Sequence, residues 1–296
     1  MLRILGLGSA ATLAAGCIDP VPQRRTVPRT ASTGTASVAG VMPVIFAAHG
    51  NPMFMDDAVF MRELHDWAVA MPRPRAVLMV SAHWEERPLT LGATRTVPLV
   101  YDFYGFPERY YRVQYRSPGA PELATRVRGL LSSASIATAD DPERGLDHGA
   151  YVPMICMYPD ADVPVLQVSL PSMDPHELFA VGRALAPLRR EGVLVMGSGF
   201  LTHNLRAGIM PSGSVPPSWA AEFDHWAHEA LVRREFDTLL DYRARAPGVA
   251  MSLPTHEHFV PVIVAAGASV DRTDSVRFPI EGFMHGSFTK RSVQFG

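Results

Sequence analysis

The chain has 296 residues, 47% of them hydrophobic, enough for one large domain or two small ones with an ample core. A formal charge of −2, with no Lys/Arg cluster large enough to follow a phosphate backbone, excludes nucleic acid as an expected partner. Two cysteines, Cys17 and Cys156, exclude a disulfide framework or a cysteine-rich metal site, whereas eleven histidines supply the commonest protein metal ligand.

Residues 1–17, "MLRILGLGSAATLAAGC", read as an export signal: one arginine, an apolar run too short to span a membrane, and small residues before a cysteine. "LAAGC" resembles the box at which bacterial lipoproteins are cleaved and acylated, although Leu13 stands one place further upstream than usual. Cys17 is therefore a candidate membrane tether, and the periplasm or a lipid-anchored state is the expected location. The same stretch resembles the tail of a twin-arginine leader lacking its paired arginines. If it is not a functional signal, the protein is cytoplasmic. Residues 18–40, rich in Pro, Arg, Ser, Thr and Gly, read as a flexible tether, which leaves 41–296 as one catalytic domain.

Within that domain, apolar runs at 43–48, 75–82, 163–170 and 193–197 predict strands, each bounded by turn residues or charge. Helical spacing predicts helices over 56–71, 121–134 and 174–190, the last with Asp174 as N-cap and Pro175 in the first position. The apolar and charged residues of 218–243 keep a 3.6 period and predict one long amphipathic helix. Alternation of this kind predicts a single α/β domain with a central, mostly parallel sheet flanked by helices.

In such sheets ligands bind beyond the carboxyl ends of the strands. His49 and His83 follow the first two strands directly, and His203 follows the strand at 193–197 after a Gly-Ser-Gly turn. His148 lies in a glycine-flanked loop before a strand, and His256 and His258 lie in a proline-bounded turn, "PTHEHFVP". A lone histidine is more often a hydrogen-bonded structural residue than a ligand. Five comparable positions, with the two histidines of "PTHEHFVP" counted as one, point instead to a metal site along the C-terminal edge of the sheet. The other histidines fit plainer roles. His225 and His228 lie three apart on a charged helix and, with Glu229, do not form the H-E-x-x-H of a zinc protease. His65 and His176 read as surface helix positions, and His285 as part of a late hairpin.

Other chemistries lack their signatures. There is no G-x-S-x-G elbow for a serine hydrolase, and "LGLGSA" has G-x-G without a preceding strand. "MGSGF" lacks the lysine of a phosphate-binding loop, and Cys156 reads as a small core residue.

The segments "AAHGNP", "PRAVLMVSAHWE", "YDFYGFPERYYRVQYRSPGAPELA", "GLDHGAYVPMICMYPDADVPVLQVSL", "GSGFLTHNLR" and "PTHEHFVPVIVAAGA" together resemble the class III extradiol ring-cleavage dioxygenases, in the subgroup similar to DOPA 4,5-dioxygenase. The resemblance runs from about Met42 to Gly296 with the motifs in family order. It implies a single α/β domain and makes His49 and His83 metal ligands, with His258 as the third. It makes His203 a metal-proximal histidine, either a further ligand or the acid/base group, and His148 a substrate-facing one. His256 stands where the subgroup usually has proline. Some relatives use a carboxylate as third ligand, so Glu257 remains a candidate; neighbouring side chains diverge, so Glu257 and His258 should not both bind one ion.

The implied reaction opens a catechol beside its diol, so diol and O₂ must meet on one ion that keeps open positions, as a facial three-ligand Fe(II) site does. Its Lewis acidity lowers one hydroxyl pKa, His203 takes the second proton, and His148 donates to bound oxygen. Migration to a lactone and hydrolysis would then give a muconic semialdehyde. The aromatic stretch Tyr101 to Tyr115 is expected either to wall the ring pocket or to be ordinary core. Neutral imidazoles also suit Zn²⁺, which can occupy the resting or purified protein but cannot activate O₂ in this way. A zinc hydrolase on the same scaffold and a non-enzymatic exported metal-binding protein are therefore the alternatives.

Overall fold

The computed structural model describes residues 40–211, 213–269 and 274–296. The expected export signal, 1–17, and residues 18–39 of the expected tether lie outside the described residues. β1 (Val44–Ala48) leads through a 3-10 turn into α1 (Ala58–Ala70), where Asp57 accepts hydrogen bonds from the amides of Val59 and Phe60. Such a cap contributes about 1 kcal/mol. β2 (Ala76–Glu85), β3 (Leu89–Leu91), α2 (Pro121–Ser133) and β4 (Thr138–Asp140) follow. Next come α3 (His148–Met157), β5 (Val165–Leu170), α4 (Pro175–Leu185) and β6 (Val193–Gly199). Asp174 caps α4 with Pro175 in its first turn, as the sequence indicates.

β6 is followed by α5 (Ser218–Val232), α6 (Phe236–Leu240), α7 (Tyr242–Arg245), α8 (Val249–Ser252) and α9 (Pro261–Ala268). The chain closes with β7 (Val276–Ile280), β8 (Phe283–Met284), β9 (Phe288–Thr289) and β10 (Ser292–Phe295). The large sheet has the order β4-β3-β5-β2-β6-β1-β10-β7, while β8 and β9 form a separate ribbon carrying His285 at its turn. Its centre, β5-β2-β6-β1, is parallel, and β10 and β7 extend it antiparallel.

Both faces of that centre are buried, which is why its strands read as continuous apolar runs. Val44 and Phe46 of β1 and Leu78 and Val80 of β2 pack into one core with α2, α4 and α9. Ile45, Ala47, Val77 and Met79 face the other core, with α1 and α3. Cys156 lies in this second core, where burial pushes its thiol up to about 12.

Five expectations need correction. The Gly-Ser-Gly sequence read as a turn after 193–197 is the last part of β6, where Ser198 and Gly199 pair with Ala47 and Ala48. The strand expected to end at 82 continues to Glu85, so His83 lies within β2 and not after it. His148 opens a helix and is not in a loop before a strand, because Asp147 caps it by accepting from the Ala150 amide. The helix expected over 174–190 ends at Leu185 and tightens into a 3-10 turn, Ala186–Glu191. The helix expected over 218–243 is broken into α5, α6 and α7, with Arg234 at φ 54° in the left-handed region. Phe223 and Leu231 before the break and Leu239 and Tyr242 after it share one core, so the apolar period continues across a break that no Gly or Pro marks.

Candidate metal centre

The parallel strands β1, β2 and β6 end side by side, and their ends meet the loop after α8 and the start of α3. His49 follows β1, His83 is near the end of β2, His203 is four residues past β6, and His258 precedes α9. Glycine makes the convergence possible. A Cβ on Gly199 would lie 2.0 Å from the carbonyl oxygen of His258, and one on Gly149 would lie 2.4 Å from Ser81 Oγ and 2.8 Å from the His83 ring. The DHG sequence therefore brings α3 against the histidines with no room for a side chain between them.

His49, His83 and His258 each offer an atom such that all three lie within 4.8 Å of one another. Two further groups share members with this one: His83 with Asp102 and His148, and His203 with Glu257 and His258. His256 joins none of these; its ring lies edge-on to Tyr242 at 5.5 Å. His49, His148 and His258 are buried, and His83 and His203 half-buried. His203 stacks on His258 with ring centroids 3.5 Å apart and planes 10° from parallel.

Hydrogen bonding assigns a proton position to each imidazole of the triad. Asp102 Oδ2 lies 3.1 Å from His83 Nδ1, and a carboxylate only accepts, so His83 carries its proton there. Glu257 Oε1 accepts from Thr255 Oγ1 and from His258 Nδ1, each at 2.9 Å. For His49 the route is longer. Pro153 has no amide N–H, so the carbonyl of Gly149, four residues earlier in α3, has no helical donor. That carbonyl accepts the hydroxyl proton of Ser198, and Ser198 Oγ is left to accept from His49 Nδ1 at 3.1 Å.

All three imidazoles thus keep a lone pair on Nε2. The Nε2 atoms of His49 and His83 are 3.1 Å apart, a separation at which two lone pairs repel unless a proton or a metal ion sits between them. Burial, with His83 the largest neighbouring charge for His49 and His203 for His258, drives both pKa values well below the ordinary imidazole range. A donor set of neutral imidazoles held from behind by carboxylate or hydroxyl oxygens fits a divalent transition metal ion. The cluster can hold a metal.

The fourth and fifth histidines differ in their surroundings. His148 donates from Nδ1 to Asp102 Oδ1 at 2.8 Å, and its backbone amide donates to the same oxygen at 3.1 Å. Burial lowers the His148 pKa and Asp102 offsets only part of that, whereas for His83 the hydrogen bond it donates to Asp102 and the charge of Asp147 outweigh burial and raise it. Burial alone would raise Asp102; the hydrogen bonds from His148 and His83 reverse this and hold its carboxyl far below the usual range. His203 is lowered to about 4, mainly by burial, with Glu257 opposing.

In front of the histidines lies a cavity of ≈ 590 Å³, within the range of about 300–1,000 Å³ usual for small-molecule sites. Phe54, Phe103, Phe106, Phe200 and Phe288 line it, and the Phe103 ring meets His148 edge-on at 5.8 Å. The stretch Tyr101 to Tyr115 therefore divides: Phe103, Tyr104 and Phe106 face the cavity, whereas Tyr110 and Tyr115 are buried.

Sequence reasoning missed Asp102, Ser198, Asp147 and the orienting contact of Glu257. Asp147 was the most accessible of them, as a cap residue directly before His148. A second cluster, His225, His228 and Glu229 on α5, also has ligand atoms within 4.8 Å of one another.

Residues 42–295 match the family model described as the catalytic LigB subunit of aromatic ring-opening dioxygenase. A Beta vulgaris protein named 4,5-DOPA dioxygenase extradiol is 39% identical over 241 residues, covering 77% of this chain and 87% of its own. An Escherichia coli K12 protein of the same name is 38% identical over 260 residues, covering 86% and 95%. The crystal structure of an uncharacterized Escherichia coli K12 protein superposes with a TM-score of 0.74 at 36% identity, covering 86% of this chain and 100% of that one.

Proposed function

The chain belongs to the LigB family of aromatic ring-opening dioxygenases and is an extradiol ring-cleaving enzyme, and from that premise we propose that it opens a catechol-type, DOPA-like ring at Fe(II) held by His49, His83 and His258. The observation that carries this reading is the common orientation of the three imidazoles, each with Nδ1–H engaged from behind and Nε2 free toward the others. When bound, Fe(II) would accept the diol and O₂ together and supply the redox step that places both oxygen atoms in the product. The hydrogen bond from His258 Nδ1 to Glu257 favours His258 as third ligand, with Glu257 as the group that orients it.

The remaining work falls to the side chains of the cavity. Phenylalanine rings can hold an aromatic plane against the histidines and exclude water. With a pKa near 4, His203 is unprotonated at neutral pH and can take the second hydroxyl proton of the catechol. His148, with its proton on Nδ1, presents a lone pair at Nε2, so it donates toward oxygen only after it has first accepted a proton.

The relatives named as dioxygenases favour this reading over the zinc hydrolase and the non-enzymatic metal-binding protein. Anaerobic loading with Fe(II), followed by a catechol and O₂, should give a yellow ring-opened product, and loading with Zn²⁺ should give none. Hydrolytic turnover in the zinc form without ring opening in the iron form would reverse the assignment. The leader-like segment supports export, with or without a lipid on Cys17; cell fractionation and the mass of the mature N-terminus test that.

A further inference from the structure

Asp102 stands on the long connection between β3 and α2, yet its carboxylate joins a strand to a helix. Oδ2 lies 3.1 Å from Nδ1 of His83 in β2, and Oδ1 accepts from Nδ1 and from the backbone amide of His148 at the start of α3. The two imidazole centroids are 3.9 Å apart, with planes inclined at 51°. Only a carboxylate offers two accepting oxygens and no donor, so both rings are driven to the same tautomer, Nδ1–H outside and an Nε2 lone pair inside.

We propose that Asp102 is a positioning residue that sets the orientation and tautomer of His83 and His148 together, so that metal affinity and proton transfer at the substrate depend on one side chain. The inference rests on the reading of His83 as a metal ligand. It sets Asp102 apart from Ser198, which holds only His49 and so bears on metal binding alone. Asparagine at 102 would have one accepting oxygen and one donating NH₂ group. Whichever imidazole faced the NH₂ would have to move its proton to Nε2, losing its lone pair toward the metal or toward the substrate.

Three measurements on the full-length protein test this. In the zinc-loaded wild type, nitrogen-resolved NMR of the histidine rings should show Nδ1–H on both His83 and His148; Nε2–H on either ring overturns the proposal without any variant. Competition against a chromophoric chelator should show Zn²⁺ bound roughly 10–100-fold more weakly by Asp102→Asn, the usual effect of losing such a support. Unchanged affinity in a folded Asp102→Asn protein also overturns it. At saturating Fe(II), Asp102→Asn should lower kcat at least tenfold and alter the pH–rate profile, while Ser198→Ala should weaken zinc binding and leave that profile unchanged. A residue of merely structural importance would lower the melting temperature and move neither the zinc affinity nor the profile. If the dioxygenase reading were wrong, wild-type Fe(II) protein would open no ring while the NMR and zinc results stood as expected.

Discussion

Among the described residues, two clusters bring two or more histidines together with a carboxylate nearby, and they are built differently. At the sheet edge His49, His83 and His258 come from three distant parts of the chain, and each has its Nδ1 engaged by an oxygen from another residue. On α5, His225 and His228 are three residues apart with ring centroids 6.5 Å apart, and His228 Nδ1 lies 3.3 Å from Glu229 Oε1. Glu229 is itself paired with Arg233 at 2.6 Å. Proximity is thus common to both, whereas fixed orientation belongs to one. Helical spacing alone produces the first property; the second takes a tertiary structure.

The strongest way to break this contrast is to remove the triad. His49→Ala, His83→Ala and His258→Ala should each abolish stoichiometric metal binding with the fold retained by circular dichroism. Glu257→Gln should keep the metal, with affinity lowered no more than about tenfold, because an amide oxygen can still accept from His258 Nδ1. Near-normal metal content in the histidine variants, or metal lost from Glu257→Gln and kept in His258→Ala, would move the ligands elsewhere.

Next in size is His203, which stacks on His258 and groups with Glu257 and His258 but not with the full triad. His203→Ala should keep most of its iron and lose roughly 10²–10⁴-fold in turnover, with the loss shrinking as pH rises and the catechol ionises. Iron stoichiometry and a pH–rate profile on one preparation measure both. An iron-free variant would make His203 a ligand.

Acid should then separate the buried cluster from the rest of the protein. His49 and His258 have folded pKa values well below 6.5, and His148 and His203 are lowered as well, while His83 alone of the five is raised. Above about pH 6.5 the lowered groups are neutral both folded and unfolded and contribute no pH dependence. Below it the unfolded chain binds their protons more readily, so stability should fall as pH falls, with His83 opposing in part. Melting temperatures of metal-free protein across this range provide the test; a flat profile would show that the cluster is wetter than its burial implies.

The smallest effect is expected on α5. His225→Ala and His228→Ala should leave the number of tightly bound metal ions unchanged, and a lost equivalent would show that pairing with Arg233 does not disqualify a helical cluster.

The histidines of the site were legible because they sit at or near the ends of continuous apolar runs, a pattern that reports both strand and edge. The parallel centre was legible for the same reason. Asp102 was not, since an acid within an aromatic loop has no period to place it, and Ser198, whose Gly-Ser-Gly setting reads as a turn, belongs to β6. Pro153 read as an ordinary residue of an apolar segment; its effect on Gly149 and so on His49 exists only once α3 lies against β6. The short strands β3 and β4, three residues each, are held by neighbours in the sheet and are too brief to show alternation. The break at Arg234 was masked because packing on both sides continues one apolar face.

β10 pairs antiparallel with β1, Val44 opposite Phe295 and Phe46 opposite Val293, and Ser292 Oγ accepts from the amide of Ala48, the residue before His49. The strand that ends just before the first of the histidines is therefore completed by a segment synthesised nearly 250 residues later. During translation β1 can pair with β6 but must present an open edge until residues 292–295 have left the ribosome. Metal capture by the finished cluster then becomes a post-synthetic event, and an incomplete chain would emerge with its first strand free to pair with the wrong neighbour.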